Sequence, residues 1–498
     1  MKKNKLYILS IMLLLGLLSS CFEDEGNYNY VDLPRFEVDT TGVTTLMSIR
    51  QFDTVDIPSH LIYDGDKSKL DYTWSAYVDD NYGTNIADTL ATTENFHEQI
   101  TLQPERYVLE FCATNRETGL KTKMKYIINV ESYSGAGLMI FYSNGSNCDI
   151  DIIRTKSFLG SISVNEVRRN IYSNIVSNPK LTGTPVGIGD MGDYLDIVTT
   201  EEALQTSRND FGMTRDFNAM FFENPGVKKP QGYITITNSG DKVFINNGLA
   251  YICIRGSEYY PTARTMVNDS YYASPYTVFA FGMNNVIYDE EHSRFLYCGM
   301  YSGTFEKAGD SKLANMDKTL LGFHRGFTDG KIRFSNYAYA VMKSKSDDSQ
   351  RFIHVISAAR NAVDIKQLYS FNISAFPEIC QATDYAFSEV SPLFYYSSEH
   401  SLYVSPFSLD QNSITTPSVA SWSCPPGESI TCMKLFKDSG VDLAVSAAHK
   451  YVVVATYNGK IGKVYILKTD MASGVIDSTP VETYEVFGRI SVIEFKNS

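Results

Sequence analysis

The chain is patterned for strands almost throughout. In Tyr107-Val108-Leu109-Glu110-Phe111, the residues Tyr107, Leu109 and Phe111 alternate onto one face, the two-residue period of a half-buried strand. Similar runs cover residues 70–78 and 123–130, with turn signals between them at Asp64-Gly65, Asp79-Asp80-Asn81 and Glu117-Thr118-Gly119. Trp74 falls inside one run, where a sandwich places a core tryptophan on a middle strand. Residues 31–133 are therefore expected to form an all-β, immunoglobulin-like sandwich, without the Cys…Trp…Cys spacing of antibody domains.

Small residues at Ser134-Gly135-Ala136-Gly137 interrupt the pattern. A strand restarts at Leu138, a turn follows at Asn144-Gly145, and a second strand covers 149–153. Strand runs then recur to the end. They include 233–237 with 242–245, 278–281 with 286–288, 294–297, 352–356 and 402–404. A late hairpin joins 451–455 to 463–467 around Asn458-Gly459. One helix is expected, at 166–176, with Asn165 as its N-cap. Two triplets, Glu291-His292-Ser293 and Glu399-His400-Ser401, each lie between strand runs and 108 residues apart. That spacing fits two units of roughly 50 residues, near the period of a propeller blade. Residues 137–498 are expected to form a β-propeller of about seven blades, with a further pair of sandwiches as the competing architecture.

The first twenty residues read differently. Lys2, Lys3 and Lys5 precede an apolar run over 6–18, and Leu18-Ser19-Ser20-Cys21 follows. The run is too short to span a bilayer and reads as an export signal. An aliphatic residue, two small ones and a cysteine make a lipoprotein cleavage site. Residues 1–20 are expected to be removed and Cys21 to carry lipid, several acyl chains giving stable anchoring. Residues 21–30 form an acidic tether. Glu23, Asp24 and Glu25 would be repelled by anionic headgroups, and they resemble the acidic signal that sends Bacteroidota lipoproteins to the outer leaflet of the outer membrane.

Loss of residues 1–20 leaves 41 basic against 57 acidic residues, a net charge of −16. That argues against a nucleic-acid partner. Tyr (34) and Phe (28) far outnumber Trp (2), an enrichment that favours strands. With Cys21 lipidated, Cys112, Cys148, Cys253, Cys298, Cys380, Cys424 and Cys432 remain. An odd number cannot pair fully, so they are expected to be small buried residues rather than a disulfide framework. Cys424 and Cys432 could pair, but nothing in their spacing requires it.

Chemistry is sparse. None of the seven histidines pairs at i,i+4 across a glutamate, and there is no Cys-x-x-Cys, so no metal ligands are assigned. Asp64-Gly65-Asp66 and Asp149-Ile150-Asp151 lack a full calcium-loop pattern. No nucleophile elbow, phosphate loop or dinucleotide fingerprint is present, so no catalytic residue and no cofactor are assigned. Asp289-Glu290-Glu291 reads as a solvated hairpin turn. Of Tyr259-Tyr260, Tyr271-Tyr272 and Tyr395-Tyr396, at most one of each pair can face a ligand, because neighbours on a strand point oppositely. The ligand-binding residues stay unassigned.

The order of motifs resembles the PKD-like family lipoproteins of Bacteroidota. The resemblance rests on Cys21 and the acids, Gly26-Asn27-Tyr28-Asn29-Tyr30, Tyr72 with Trp74, the strand from Tyr107 to Asn115, Thr118-Gly119-Leu120 and the Tyr133…Gly137-Leu138-Met139 junction. Asp79-Asp80-Asn81-Tyr82-Gly83 stands where true PKD domains have Gly-Asp-Gly. The resemblance implies an outer-membrane, surface-facing accessory to a SusC/SusD-type importer, binding a glycan or peptide without catalysis. A propeller-type glycan hydrolase or lyase and a structural or adhesive surface protein are the alternatives.

Overall fold

The computed structural model describes residues 34–80, 87–160, 162–236, 241–254, 257–279, 284–332, 335–437 and 447–497. Cys21, Glu23, Asp24 and Glu25 lie outside them, as do the tether and signal segment. The chain divides into two compact units, residues 1–130 and 131–498.

The first unit is an all-β sandwich. One sheet has five strands in the order Leu46–Arg50, Lys121–Glu131, Arg106–Asn115, Leu70–Val78 and Asp88–Ala91. Two short pairs complete the unit: Phe36–Val38 with Leu61–Tyr63, and Thr54–Ile57 with Phe96–Gln99. The alternation in the central strands sends one face inward. Trp74 is wholly buried there against Phe96, Phe111 and Tyr126. Its indole N–H donates to the Thr93 carbonyl at 3.1 Å, so burial leaves no donor unmet.

The second unit is seven sheets, antiparallel but for one short edge strand, each running outward from an innermost strand. Innermost strands are Pro185–Asp190, Pro230–Ile236, Ala273–Phe279, Lys318–Gly326, Asp384–Phe387, Ser429–Leu435 and Arg489–Lys496. Each neighbours the next in cyclic order, and Arg489–Lys496 returns beside both Ser429–Leu435 and Pro185–Asp190. Seven sheets in a closed cycle form a seven-bladed β-propeller. Closure is by strand exchange: the last strand, Arg489–Lys496, pairs with Gly137–Asn144, the first of the unit, and completes the first blade. The third blade keeps three strands. Thr265–Met266 instead crosses to pair in parallel with Thr304–Lys307 on the fourth.

Separate apolar clusters fill the spaces between successive blades, such as Val286, Tyr288, Phe323 and Ala340 between the fourth and fifth. Glycine lets the innermost strands crowd together: a Cβ at Gly232 would collide with the Pro275 carbonyl of the next blade. The Asn144-Gly145 and Asn458-Gly459 turns join strands as their sequence requires, with both glycines at positive φ.

The expected helix at 166–176 is absent. Glu166–Arg168 is an edge strand on Asn147–Arg154. Asn165 accepts from Lys156 N–H rather than capping a helix, and Asn170 adopts a φ of 53° that no helix continues. Arg168 is buried and donates to the Ser132 and Tyr133 carbonyls, so tertiary partners override the local pattern. No described helix is long and apolar enough to cross a membrane.

Candidate functional site

The seven innermost strands surround a cavity of about 670 Å3, and every one of them contributes to its wall. Besides Asp190, which Arg208 holds, three charged assemblies line it. The first is the pair of Lys434 and Glu494, from the seventh and first blades. The second is Asp384, at the start of its strand, whose carboxylate accepts the N–H of Met433 at 2.8 Å and of Tyr385 at 2.9 Å. Burial pushes this acid up to about 6, with the two N–H donors and Lys434 pulling the other way.

The third assembly lies where the fifth, sixth and seventh blades end their innermost strands. Glu389 stands 4.0 Å from the Arg325 guanidinium and 3.9 Å from the Lys437 ammonium. Lys437 also donates to the Arg325 carbonyl. Burial, aided by Lys434 and Arg325, lowers the Lys437 ammonium to about 8 despite Glu389. His324, one position before Arg325, lines the same wall. Burial and the two lysines lower it to about 3, so it is a neutral imidazole at physiological pH. Its ring nitrogens have no hydrogen-bond partner among the described residues.

A model of the PKD-like family matches residues 21–185. The PKD-like match thus covers the sandwich and the start of the propeller, about a third of the chain. Among curated proteins none matches. Among solved structures, a quinonprotein alcohol dehydrogenase-like protein from Bacteroides thetaiotaomicron is 13% identical with a TM-score of 0.45, covering 94% of this chain and 100% of its own. The β-propeller domain of Cps50 (Swd1) from Myceliophteria thermophila is 12% identical with a TM-score of 0.36, covering 60% and 86%. A protein of unknown function from Bacteroides thetaiotaomicron is 9% identical with a TM-score of 0.29, covering 88% and 99%. At these scores the likenesses add nothing to the strand order above.

Residues singled out in the sequence fall elsewhere. Asp289-Glu290-Glu291 is solvated only in part, with Glu291 exposed and Glu290 half-buried. Asp289 is fully buried and accepts from the N–H groups of Tyr272 and Glu291, from the His292 ring and from Arg294. Glu290 accepts Leu320 N–H at 3.1 Å and so ties the fourth blade to the fifth. The turn is ordered because its acids satisfy donors that burial would otherwise strand. Asp289, Glu291 and His292 lie close enough to hold a cation, but the guanidinium already on Asp289 opposes one.

The two Glu-His-Ser triplets occupy equivalent hairpins of the fourth and sixth blades, and both act between blades. The Glu399 carbonyl accepts Ile430 N–H, and the His400 ring meets the Glu428 carbonyl at 2.9 Å. Of the tyrosine pairs, Tyr260, Tyr271, Tyr395 and Tyr396 are buried core. Exposed Tyr259 lies under Arg215, 4.3 Å from its ring centre. All seven described cysteines are free, so Cys424 and Cys432 are not bonded. Cys148, Cys253, Cys298 and Cys432 are buried as expected, whereas Cys380 is exposed.

The channel residues carry no motif. His324, Arg325, Asp384 and Lys437 sit in ordinary strand sequence, and only the ring of blades brings them together. The available signal was weak: a His-Arg dipeptide at the end of an apolar strand run.

Proposed function

We propose that this protein is a surface-exposed, lipid-anchored binding protein of the outer membrane, an accessory of a SusC/SusD-type nutrient importer. Its propeller channel takes up part of a glycan or peptide without catalysis. The channel carries this reading. It is a cavity with charged groups from several blades, and cavities with a few convergent polar groups are the usual place for a ligand.

The state of its acids favours binding over reaction. Asp384 accepts two backbone N–H groups, Glu494 pairs with Lys434, and Glu389 faces two cations at 4.0 and 3.9 Å. Among the described residues, no three His, Cys, Asp or Glu of the channel bring ligand atoms within 4.8 Å of one another. The lipid anchor and the importer are supported by the residues around Cys21 and by the PKD-like match.

A hydrolase or lyase is the second reading. Its support is the raised Asp384 and neutral His324 in one channel, since perturbed groups gather at reactive sites. A purely adhesive role leaves this cavity without a use.

Two experiments test the proposal. Affinity-tagged protein from native membranes should co-purify a TonB-dependent transporter; recovery without one removes the importer link. A panel of glycans and peptides should yield a ligand recovered intact after incubation, whereas cleaved products favour the second reading.

A further inference from the structure

We propose that the channel mouth is a carboxylate-binding site, with Arg325 and Lys437 as its anchoring cations and His324 as a neutral hydrogen-bonding partner. This rests on the channel being a binding site and names the chemistry it selects.

The inference follows from how the charges are partnered. Lys434 is paired with Glu494, and Asp384 is held by two backbone N–H groups. That leaves Arg325, Lys437 and Glu389. Both cations share the one carboxylate, and both stand at its ion-pairing limit, 4.0 and 3.9 Å, beyond hydrogen-bond distance. The Arg325 guanidinium has no other side-chain partner among the described residues and keeps its planar fork of donors free. Lys437 spends one donor on the Arg325 carbonyl and keeps two.

At this mouth two cations face one acid, a local excess of one positive charge. A monoanion balances it. A planar carboxylate also matches the guanidinium fork in two parallel hydrogen bonds. His324, without a partner of its own, can donate to or accept from a group beside that carboxylate. The carboxylate could be the uronic acid of a glycan or the C-terminus of a peptide; the contacts are the same.

The test uses full-length protein in detergent, its lysines reductively methylated with carbon-13 and the Lys437 signal assigned with Lys437→Arg. D-glucuronate is compared with D-glucose, and N-acetylalanine with N-acetylalaninamide, at constant ionic strength. At least one acid should shift the Lys437 signal saturably, with the neutral partner at least tenfold weaker. Whichever acid binds tighter identifies the source. Arg325→Gln should weaken the response at least tenfold with an unchanged melting temperature, and Lys437→Arg should retain binding by the acid in calorimetry. Affinity should fall as pH rises through about 8, where Lys437, faced by Arg325, Lys434, Glu389 and His324, loses its proton.

If neither acid moves the signal more than sodium chloride does, the proposal is overturned, while the binding reading stands or falls on the ligand panel. Equal response to acid and neutral partner also overturns it, yet that result supports the channel as a binding site.

Discussion

The carboxylate of Asp190 accepts the backbone N–H of Asn497 at 2.9 Å, across 307 positions of sequence. The same carboxylate is gripped by Arg208 at 2.8 and 3.0 Å. It therefore fastens the end of the last innermost strand to the end of the first. A propeller closed by one exchanged strand depends on holding that strand, and here a buried acid does so. Beside it Lys496 is buried too, and burial lowers its ammonium to about 7.

Removing Asp190 should loosen the ring. Asp190→Ala removes the buried carboxylate that Arg208 and the Asn497 N–H share, a loss of about 3–5 kcal/mol for breaking a pair of this kind. Asp190→Asn keeps an acceptor for Asn497 and should lose less. Chemical denaturation of the two variants checks the ranking, and hydrogen exchange should localise the weakening to Arg489–Lys496.

A second buried pair was unforeseen. Lys242 lies 2.7 Å from Asp196, both side chains fully buried, with the hydroxyls of Tyr233 and Tyr260 also on that carboxylate. The ammonium sits 4.4 Å from the Tyr260 ring centre and 4.8 Å from that of Tyr194. Lys242→Met should cost about 3–5 kcal/mol, because an uncompensated charge remains. Adding Asp196→Leu should recover much of that loss. A double-mutant cycle by denaturation measures the coupling.

Acid stability should expose two opposed channel groups. His324 titrates near 3 in the fold and near 6.5 when unfolded, so the unfolded chain binds the proton first and stability falls as pH drops through that window. Asp384 titrates near 6 in the fold against 3.8 unfolded, so the folded chain holds the proton and stability falls as pH rises from about 4 to 6. The two slopes largely cancel between pH 4 and 6. Relative to wild type, His324→Gln should shift the pH slope of stability downward across that range, and Asp384→Asn should shift it upward. Melting temperatures at pH 4, 5 and 6 decide it.

In the sandwich, Trp74→Ala should cost about 3–5 kcal/mol through lost burial and the cavity left among Phe96, Phe111 and Tyr126. Faster limited proteolysis within residues 34–130 is the readout. At the N-terminus, Cys21→Ala should abolish incorporation of radiolabelled palmitate; label that survives removes the anchor.

The strands were legible because their information is local. The run at Leu70–Val78, the Asn-Gly turns and the buried Trp74 follow from alternation, turn chemistry and apolar bulk, each contained in a few adjacent residues. The repeat of Glu-His-Ser gave the blade period for the same reason. Local pattern failed at Glu166–Arg168, where Arg168 found carbonyls some 35 residues away, and at Asp289, where a turn rich in acids was folded inward onto Arg294. Composition alone would send such charges to solvent. Burial reverses that expectation once partners cancel the cost of desolvation.

The sequence by itself determined the class of the fold and its repeated unit. Tertiary structure decided the channel. Arg325, Glu389 and Lys437 share no motif and no spacing. They meet only because seven blades close into a ring, and closure is fixed by a strand that returns from the far end of the chain. Charge balance between residues on separate blades depends on distance in space, which spacing along the chain does not encode.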